Sequence, residues 1–246
     1  MSREAAGQIG QLPLTGERTV PGIAEENYWF RRHEAAYRAL MPYCAGAVVL
    51  EAGCGEGYGA DLLAGVARLV CGLDYDALTA THVGQAYPRV RAVRGNLAAL
   101  PLRSSGVDVV ANLQVIEHLW DQEGFLRECR RVLRPGGRLL VTTPNRITFS
   151  PGRETPLNPF HTRELAPGEL NELLRGAGFE VELLAGLRHG ARLPSSIIDA
   201  QVEAVLNGAP WPAELLVEVS AVTVDDFVIT GEDLDSSLDL VAVARR

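Results

Sequence analysis

Residues 48–76 read VVLEAGCGEGYGADLLAGVARLVCGLDYD, and no other stretch restricts the fold so tightly. Val48-Val49-Leu50 is an unbroken apolar run, the mark of a strand buried on both faces. A turn follows with glycine at 53, 55, 57 and 59, where the missing Cβ atoms let backbone come close to a ligand. Leu62, Leu63, Val66 and Leu69 then fall at helical spacing and build one apolar face. A second apolar run, Leu69 to Leu73, ends on Asp74. Strand, glycine turn, helix and strand open an α/β fold with a mostly parallel sheet. An acidic residue about 20 residues beyond such a turn is placed to grip the hydroxyls of a nucleotide ribose.

The dinucleotide fingerprint asks for glycine at its first, third and sixth places. Here the glycines fall at 53, 55 and 57, Tyr58 takes the sixth place, and Glu51 stands two residues ahead. The run E-A-G-C-G-E-G closely resembles motif I of the class I S-adenosylmethionine (SAM) dependent methyltransferases. That resemblance implies a Rossmann-like fold: a seven-stranded, mostly parallel sheet with an antiparallel last strand, plus a helical cap insertion. It also implies SAM as cofactor, held by Glu51, Gly53, Gly55, Tyr58, Asp74 and Tyr75. A nicotinamide oxidoreductase is disfavoured by Tyr58 and by the absence of lysine, which removes any catalytic Tyr/Lys pair.

Composition narrows the rest. A chain of 246 residues, 47% hydrophobic and 22% charged, has the length and make-up of a soluble globule, read as one domain spanning 1–246. No apolar run approaches the roughly 18 residues of a membrane span, and the N-terminus lacks the apolar core of a signal peptide, so the expectation is cytoplasmic with no membrane partner. Net charge −8 argues against nucleic acid as a partner. Cys44, Cys54, Cys71 and Cys129 form no CxxC pair, which predicts reduced, mostly buried thiols. A homo-oligomer is compatible with the sequence but not specified by it.

Residues 1–20 are polar and glycine-bearing, an expected loose arm. Glu25 to Leu40 follows a helical pattern carrying the Tyr28-Trp29-Phe30 cluster and Arg31-Arg32. The aromatics fit core packing or a cofactor platform, and either arginine could meet the SAM carboxylate. Many methyltransferases of the class carry a similar WF-x-x-R element ahead of motif I. Val90-Val93 reads as a third strand, and Asn96-Leu97 occupies the place where the class reads adenine, though a turn asparagine reads equally. The fourth strand, Val107 to Ala111, runs into Asn112-Leu113-Gln114-Val115-Ile116-Glu117-His118, at the sheet end where α/β folds place ligands. Asp121 is an expected N-cap for a helix with Phe125, Leu126, Cys129, Val132 and Leu133 inward. Arg134-Pro135-Gly136-Gly137 stops it, and Arg138 to Thr143 is a fifth strand. Leu165 to Gly178 has helical spacing, Phe179 to Leu187 reads as a strand, and Leu238 to Ala244 as the last one. Ser195 to Asp199 and Pro210-Trp211-Pro212 are expected helix starts. Residues 1–34, 146–163 and 188–234 are expected to cap the active site.

Methyl transfer from a sulfonium needs an oxygen nucleophile held in line and relieved of its proton. Glu117 and His118 sit where the donor would lie, and His161 follows the fifth strand. The pattern Q-V-I-E-H plus a distal histidine resembles the E-x-x-E-H set of small-RNA 2′-O-methyltransferases and ubiquinone-pathway O-methyltransferases. Carried over by position, Glu117, His118 and His161 become ligands of a divalent ion, with Gln114 where those families have glutamate. A metal-free alternative makes His118 or His161 the general base. His33, His82 and His189 read as surface or packing residues, with lining of the acceptor site the alternative for His189. Taken with GERTVPGIAEENYWFRRH, TTPNRITFSPGRETPLNPFHTREL, SIIDAQ and APWP, the whole chain resembles the mycobacterial 1-O-methyltransferases of methylmannose polysaccharide biosynthesis. This resemblance implies a small carbohydrate acceptor, the 1-OH of a short 3-O-methylated mannoside, and dependence on magnesium. Arg146, Arg153, Arg163 and Trp211 fall in the expected cap and suit a sugar.

Overall fold

The periodicities seen in the sequence become an alternating chain of elements in a computed structural model, which describes residue 12 and residues 18–194, 196–207 and 211–246. Expectations for the rest of the arm, for Ser195 and for Pro210 lie outside the described residues. In order, the elements are α1 (Asn27–Leu40), β1 (Val48–Ala52), α2 (Tyr58–Ala64), β2 (Leu69–Asp74), α3 (Ala77–Ala86), β3 (Val90–Arg94) and β4 (Val107–Leu113). Then come α4 (Gln122–Val132), β5 (Leu133–Pro144), the short α5 (Arg146–Phe149), α6 (Pro167–Gly176) and β6 (Glu180–His189). The chain ends with α7 (Ser196–Asn207), α8 (Ala213–Ala221), β7 (Phe227–Thr230) and β8 (Asp239–Arg245).

The strands form one sheet in the order β3-β2-β1-β4-β5-β8-β6-β7. β1 pairs in parallel with β2 and β4, and β4 with β5, whereas β8 runs antiparallel to both β5 and β6. The sheet has eight strands where seven are expected from the sequence. The additional strand, β7, pairs antiparallel with the edge of β6 through Leu187↔Ile229 and Arg188↔Val228. It comes from residues 188–234, read from sequence only as a cap, because its four residues are too short for their alternation to register. β5 starts earlier than expected, at Leu133. A register shift between Val107 and Val109 absorbs the Arg134-Pro135-Gly136-Gly137 turn.

Side chains alternate across the sheet, so neighbouring strand residues serve two separate cores. Val49, Val109, Leu140 and Val241 pack with α1, α2, α3, α7 and α8. Leu50, Val110, Leu139 and Leu240 pack with α4 and α6 on the other face. Asp121 accepts from the Gly124 N–H and caps α4, as expected. The α1 helix buries Tyr28, Ala36, Tyr37 and Leu40 and, on the same face, a charged residue, Arg32. Its guanidinium donates to both carboxylate oxygens of Asp239 at 2.7 and 2.5 Å, and to the Leu238 carbonyl at 3.0 Å. Asn27 donates to the carbonyls of Val219 and Val222, satisfying the open C-terminal end of α8. The first helix is thereby fastened to the last strand and to the α7–α8 pair.

Candidate active site

The carboxyl ends of β1, β2 and β4 face a cavity of about 640 Å³. Its floor is the glycine turn after β1. Gly53, Gly55 and Gly57 all adopt positive φ (88°, 51° and 103°), a region that L side chains rarely enter. A Cβ on Gly53 would collide with Val115, whereas one on Gly55 would meet nothing within 4 Å, so backbone is bared to the cavity there. Asp74 joins the turn to the end of β2: its carboxylate accepts from the Gly55 N–H at 2.9 Å and the Asp76 N–H at 3.0 Å. Burial raises its pKa, and those two N–H bonds oppose the rise. Tyr75, 72% exposed, lines the cavity beside it.

Of the residues expected at the cofactor, Gly53, Gly55, Tyr58, Asp74, Tyr75, Leu97, Gln114 and Arg32 line this cavity. Three do not. Glu51 lies one layer behind the turn, where it accepts from the Tyr37 hydroxyl. Its other oxygen is buried without a partner among the described residues, and burial pushes its pKa up to about 8 against the Tyr37 bond, with the Asp74 charge adding to the rise. Asn96 turns its amide oxygen to the Ala98 N–H, the turn role left open by the sequence. Arg31 donates to Glu34 on its own helix. Arg146, Arg153, Arg163 and Trp211 are also absent from the wall, as are all described residues of 188–234.

Beyond β4 the chain turns sharply. Gln114 holds φ +58°, an uncommon conformation for a residue with a side chain; its amide N–H₂ donates to Thr142 Oγ1 at 3.3 Å and its backbone N–H to the Thr142 carbonyl. That turn delivers Glu117 and His118, and the loop after β5 brings His161 to meet them. One ligand-capable atom from each of the three lies within 4.8 Å of the others. Glu117 is buried and accepts from Thr143 Oγ1 at 3.0 Å. Burial lifts its pKa to about 8, opposed by hydrogen bonding from its own backbone N–H and Thr143 and reinforced by Asp239 and Glu164.

The histidines are set by what their Nδ1 atoms touch. His118 Nδ1 lies 3.0 Å from the Phe160 carbonyl, which can only accept, so the proton sits on Nδ1. His161 Nδ1 donates to Glu164 at 2.7 Å, and its Nε2 accepts from Asn158 at 3.1 Å. His118 is thereby set with Nε2 as acceptor or ligand, the arrangement that metal-binding histidines need, whereas the His161 Nε2 lone pair is taken up by Asn158 and is offered to a ligand only when that amide turns aside. The rings stand edge to face, 4.9 Å apart.

Part of the wall was expected only as a region, 1–34 and 146–163, or, for Trp29, as one of two roles, and Glu56 was not expected at all. Arg18, Thr19, Glu26, Trp29, His33, Glu56 and Asn158 all line the cavity. Glu26, Trp29 and His33 recur with Arg32 at three- and four-residue spacing along α1, a signal that could have placed His33 on the same face. His33 meets the Tyr58 hydroxyl at 3.1 Å, and burial drives its pKa down to about 4. The cavity thus offers bared backbone, carboxylates at 74 and 76 and guanidinium groups at 18 and 32, which fits a nucleoside carrying an amino-acid chain.

Comparison with known proteins agrees with this geometry. A model described as "Methyltransferase domain" matches residues 50–141. The chain is 64% identical to the "probable S-adenosylmethionine-dependent methyltransferase" of Mycolicibacterium smegmatis, over 96% of this chain and 95% of that protein. It is 30% identical to a ubiquinone biosynthesis O-methyltransferase of Xanthomonas euvesicatoria, over 61% and 72% of the two chains. A crystal structure of a SAM-dependent methyltransferase from Thermotoga maritima superposes with a TM-score of 0.61 at 19% identity, covering 88% of this chain and 92% of that one, and so shares the fold. The chain belongs to the class I SAM-dependent methyltransferases, enzymes that move a methyl group from SAM to an acceptor.

Proposed function

We propose that this methyltransferase acts on a hydroxyl of a small carbohydrate, the 1-OH of a short 3-O-methylated mannoside. The convergence of Glu117, His118 and His161 on the cavity carries this reading. A sugar hydroxyl is a poor acid, and these are the groups placed to relieve it of its proton. The O-methyltransferase name of one relative and the sequence segments quoted above support oxygen as the acceptor atom and a mannoside as its carrier.

In this reading the glycine turn, Asp74 and Arg32 hold SAM, whose sulfonium supplies the methyl group. One carboxylate and two imidazoles with ligand atoms within 4.8 Å of one another suit a divalent ion, which would take the place of the Asn158 amide at His161 Nε2. They suit manganese or zinc better than magnesium, which favours all-oxygen shells. An ion held there would stabilise the acceptor as an alkoxide. Phe160 and Glu164 keep the two imidazoles turned toward the acceptor, and Thr143 orients Glu117. A second reading, a metal-free histidine base, is favoured by the His161–Glu164 pair, because a carboxylate behind an imidazole fixes its tautomer and orientation.

Methyl transfer to a 3-O-methylmannoside, measured with EDTA and then with magnesium or manganese restored, separates the two. Loss with EDTA and recovery with the ion supports the Glu117, His118 and His161 site. Activity indifferent to EDTA leaves a histidine as base. No turnover in any condition removes the mannoside from the reading.

A further inference from the structure

Trp120 stands two residues beyond His118 and leaves 93% of its surface in solvent, more than any other large apolar side chain among the described residues. Exposing an indole forgoes a large share of hydrophobic stabilisation, and Trp is among the side chains that most often serve as binding anchors. Its backbone is held firmly. The Leu119 carbonyl just before it accepts from Thr162 Oγ1 at 2.8 Å, and the Glu117 carbonyl accepts from the Thr162 N–H at 2.8 Å. The same contact puts His118 against Phe160, itself 42% exposed. Two residues of chain span at most about 7 Å, so the Trp120 backbone lies within about that distance of His118, which lines the cavity, while Trp120 itself is not part of the wall.

The surroundings decide what the ring meets. Asp121 and Glu123 follow it with side chains 64% and 74% exposed, and Arg127 lies alongside at 65%. The centre of a protein–protein interface is depleted in such charges, and acidic neighbours repel an anionic membrane surface. An aromatic face bordered by carboxylates does suit a sugar, whose C–H face lies on the ring while its hydroxyls donate to the acids. Trp120 is outside the cavity, so it cannot carry the sugar that reacts. It can carry one further along the same chain.

We propose that Trp120 is the platform for the acceptor residue next to the one being methylated, and that it reads acceptor length. This rests on the carbohydrate reading above. The test compares wild type with Trp120→Ala and Trp120→Phe on a 3-O-methylated monomannoside and the matching tetramannoside. Binding is measured by calorimetry in the presence of S-adenosylhomocysteine and magnesium, turnover is measured with SAM, and oligomeric state is measured by sedimentation. Expected for Trp120→Ala is a rise of about tenfold in Kd and KM for the tetramannoside, the size of loss seen when an aromatic anchor is truncated. The monomannoside and SAM constants stay within about twofold, and Trp120→Phe keeps most of the tetramannoside affinity. Equal loss on both acceptors, no loss on either, or conversion of a dimer to a monomer overturns the platform. If wild type binds and methylates neither mannoside, the carbohydrate reading itself fails and the platform with it.

Discussion

Glu117 shows how a single residue can be costly to stability and necessary to chemistry. Its carboxyl is buried, and its pKa is raised to about 8 chiefly because burial disfavours the charged form. Glu117→Gln keeps the shape and the Thr143 contact while removing the charge. Turnover should fall by about 10² to 10⁴, the usual range for a lost proton-handling group, while the melting temperature at pH 8 stays level or rises. A variant with wild-type turnover would remove Glu117 from the chemistry. The sequence disclosed this residue through its place at the end of a strand, beside a histidine. It could not disclose the Thr143 contact or the orientation of His118 by the Phe160 carbonyl, since both depend on loops meeting across the sheet.

At the level of elements, the Arg32–Asp239 pair clamps α1 to β8. Removing one member of a buried ion pair costs about 3–5 kcal/mol, because the other charge is left unpaired, whereas apolar replacement of both can be neutral. Asp239→Ala should therefore lower urea stability by about that amount, and Arg32→Met combined with Asp239→Leu should recover most of it. A double variant as unstable as the single one would refute the account. Elements with strong periodicity were legible from the chain: β1 to β5, β6 and β8 carry apolar runs, and α4 carries a complete apolar face, although it ends at Val132 and the expected Arg134-Pro135-Gly136-Gly137 stop lies within β5. β7 was not, because a four-residue edge strand holds too few residues to set a period. The α1 wall residues were visible only as an unread spacing. Arg32 was expected at the cofactor's carboxylate. It does reach the cavity, but two of its nitrogens serve Asp239, a partner 207 positions away that no local pattern could supply.

The whole molecule should record its buried acids in its pH dependence. Glu51 and Glu117 hold protons up to about pH 8 when folded, against 4.5 for the ordinary group. His33 and His189 are pushed below their usual 6.5, burial being the largest cause in each. Between about pH 5 and 6.5 the unfolded chain gains imidazole protons at His33 and His189 and lacks two carboxyl protons relative to the folded one, so the two differences oppose each other. From 6.5 to about 8 only the carboxyl difference survives, the folded state binds more protons, and stability falls as pH rises. Thermal melts without cofactor should decline more steeply above pH 6.5 than between 5 and 6.5, and Glu51→Gln with Glu117→Gln should flatten the decline. A melting temperature that climbs from pH 6.5 to 8 would contradict this origin.

The position of β8 has a consequence for how the enzyme is made. Residues 239–245 sit between β5 and β6, so both of those strands keep bare hydrogen-bonding edges until the ribosome has released almost everything described here. Asp239, the anchor of α1, arrives in the same few residues. A nascent chain can assemble β1 to β4 early and pack α1 on α2, yet the buried Arg32 has no carboxylate partner until the last strand slides into place. Until β8 closes, the sheet is open between β5 and β6. Over that interval the two open edges are the surfaces that a chaperone must shield or that aggregation will find.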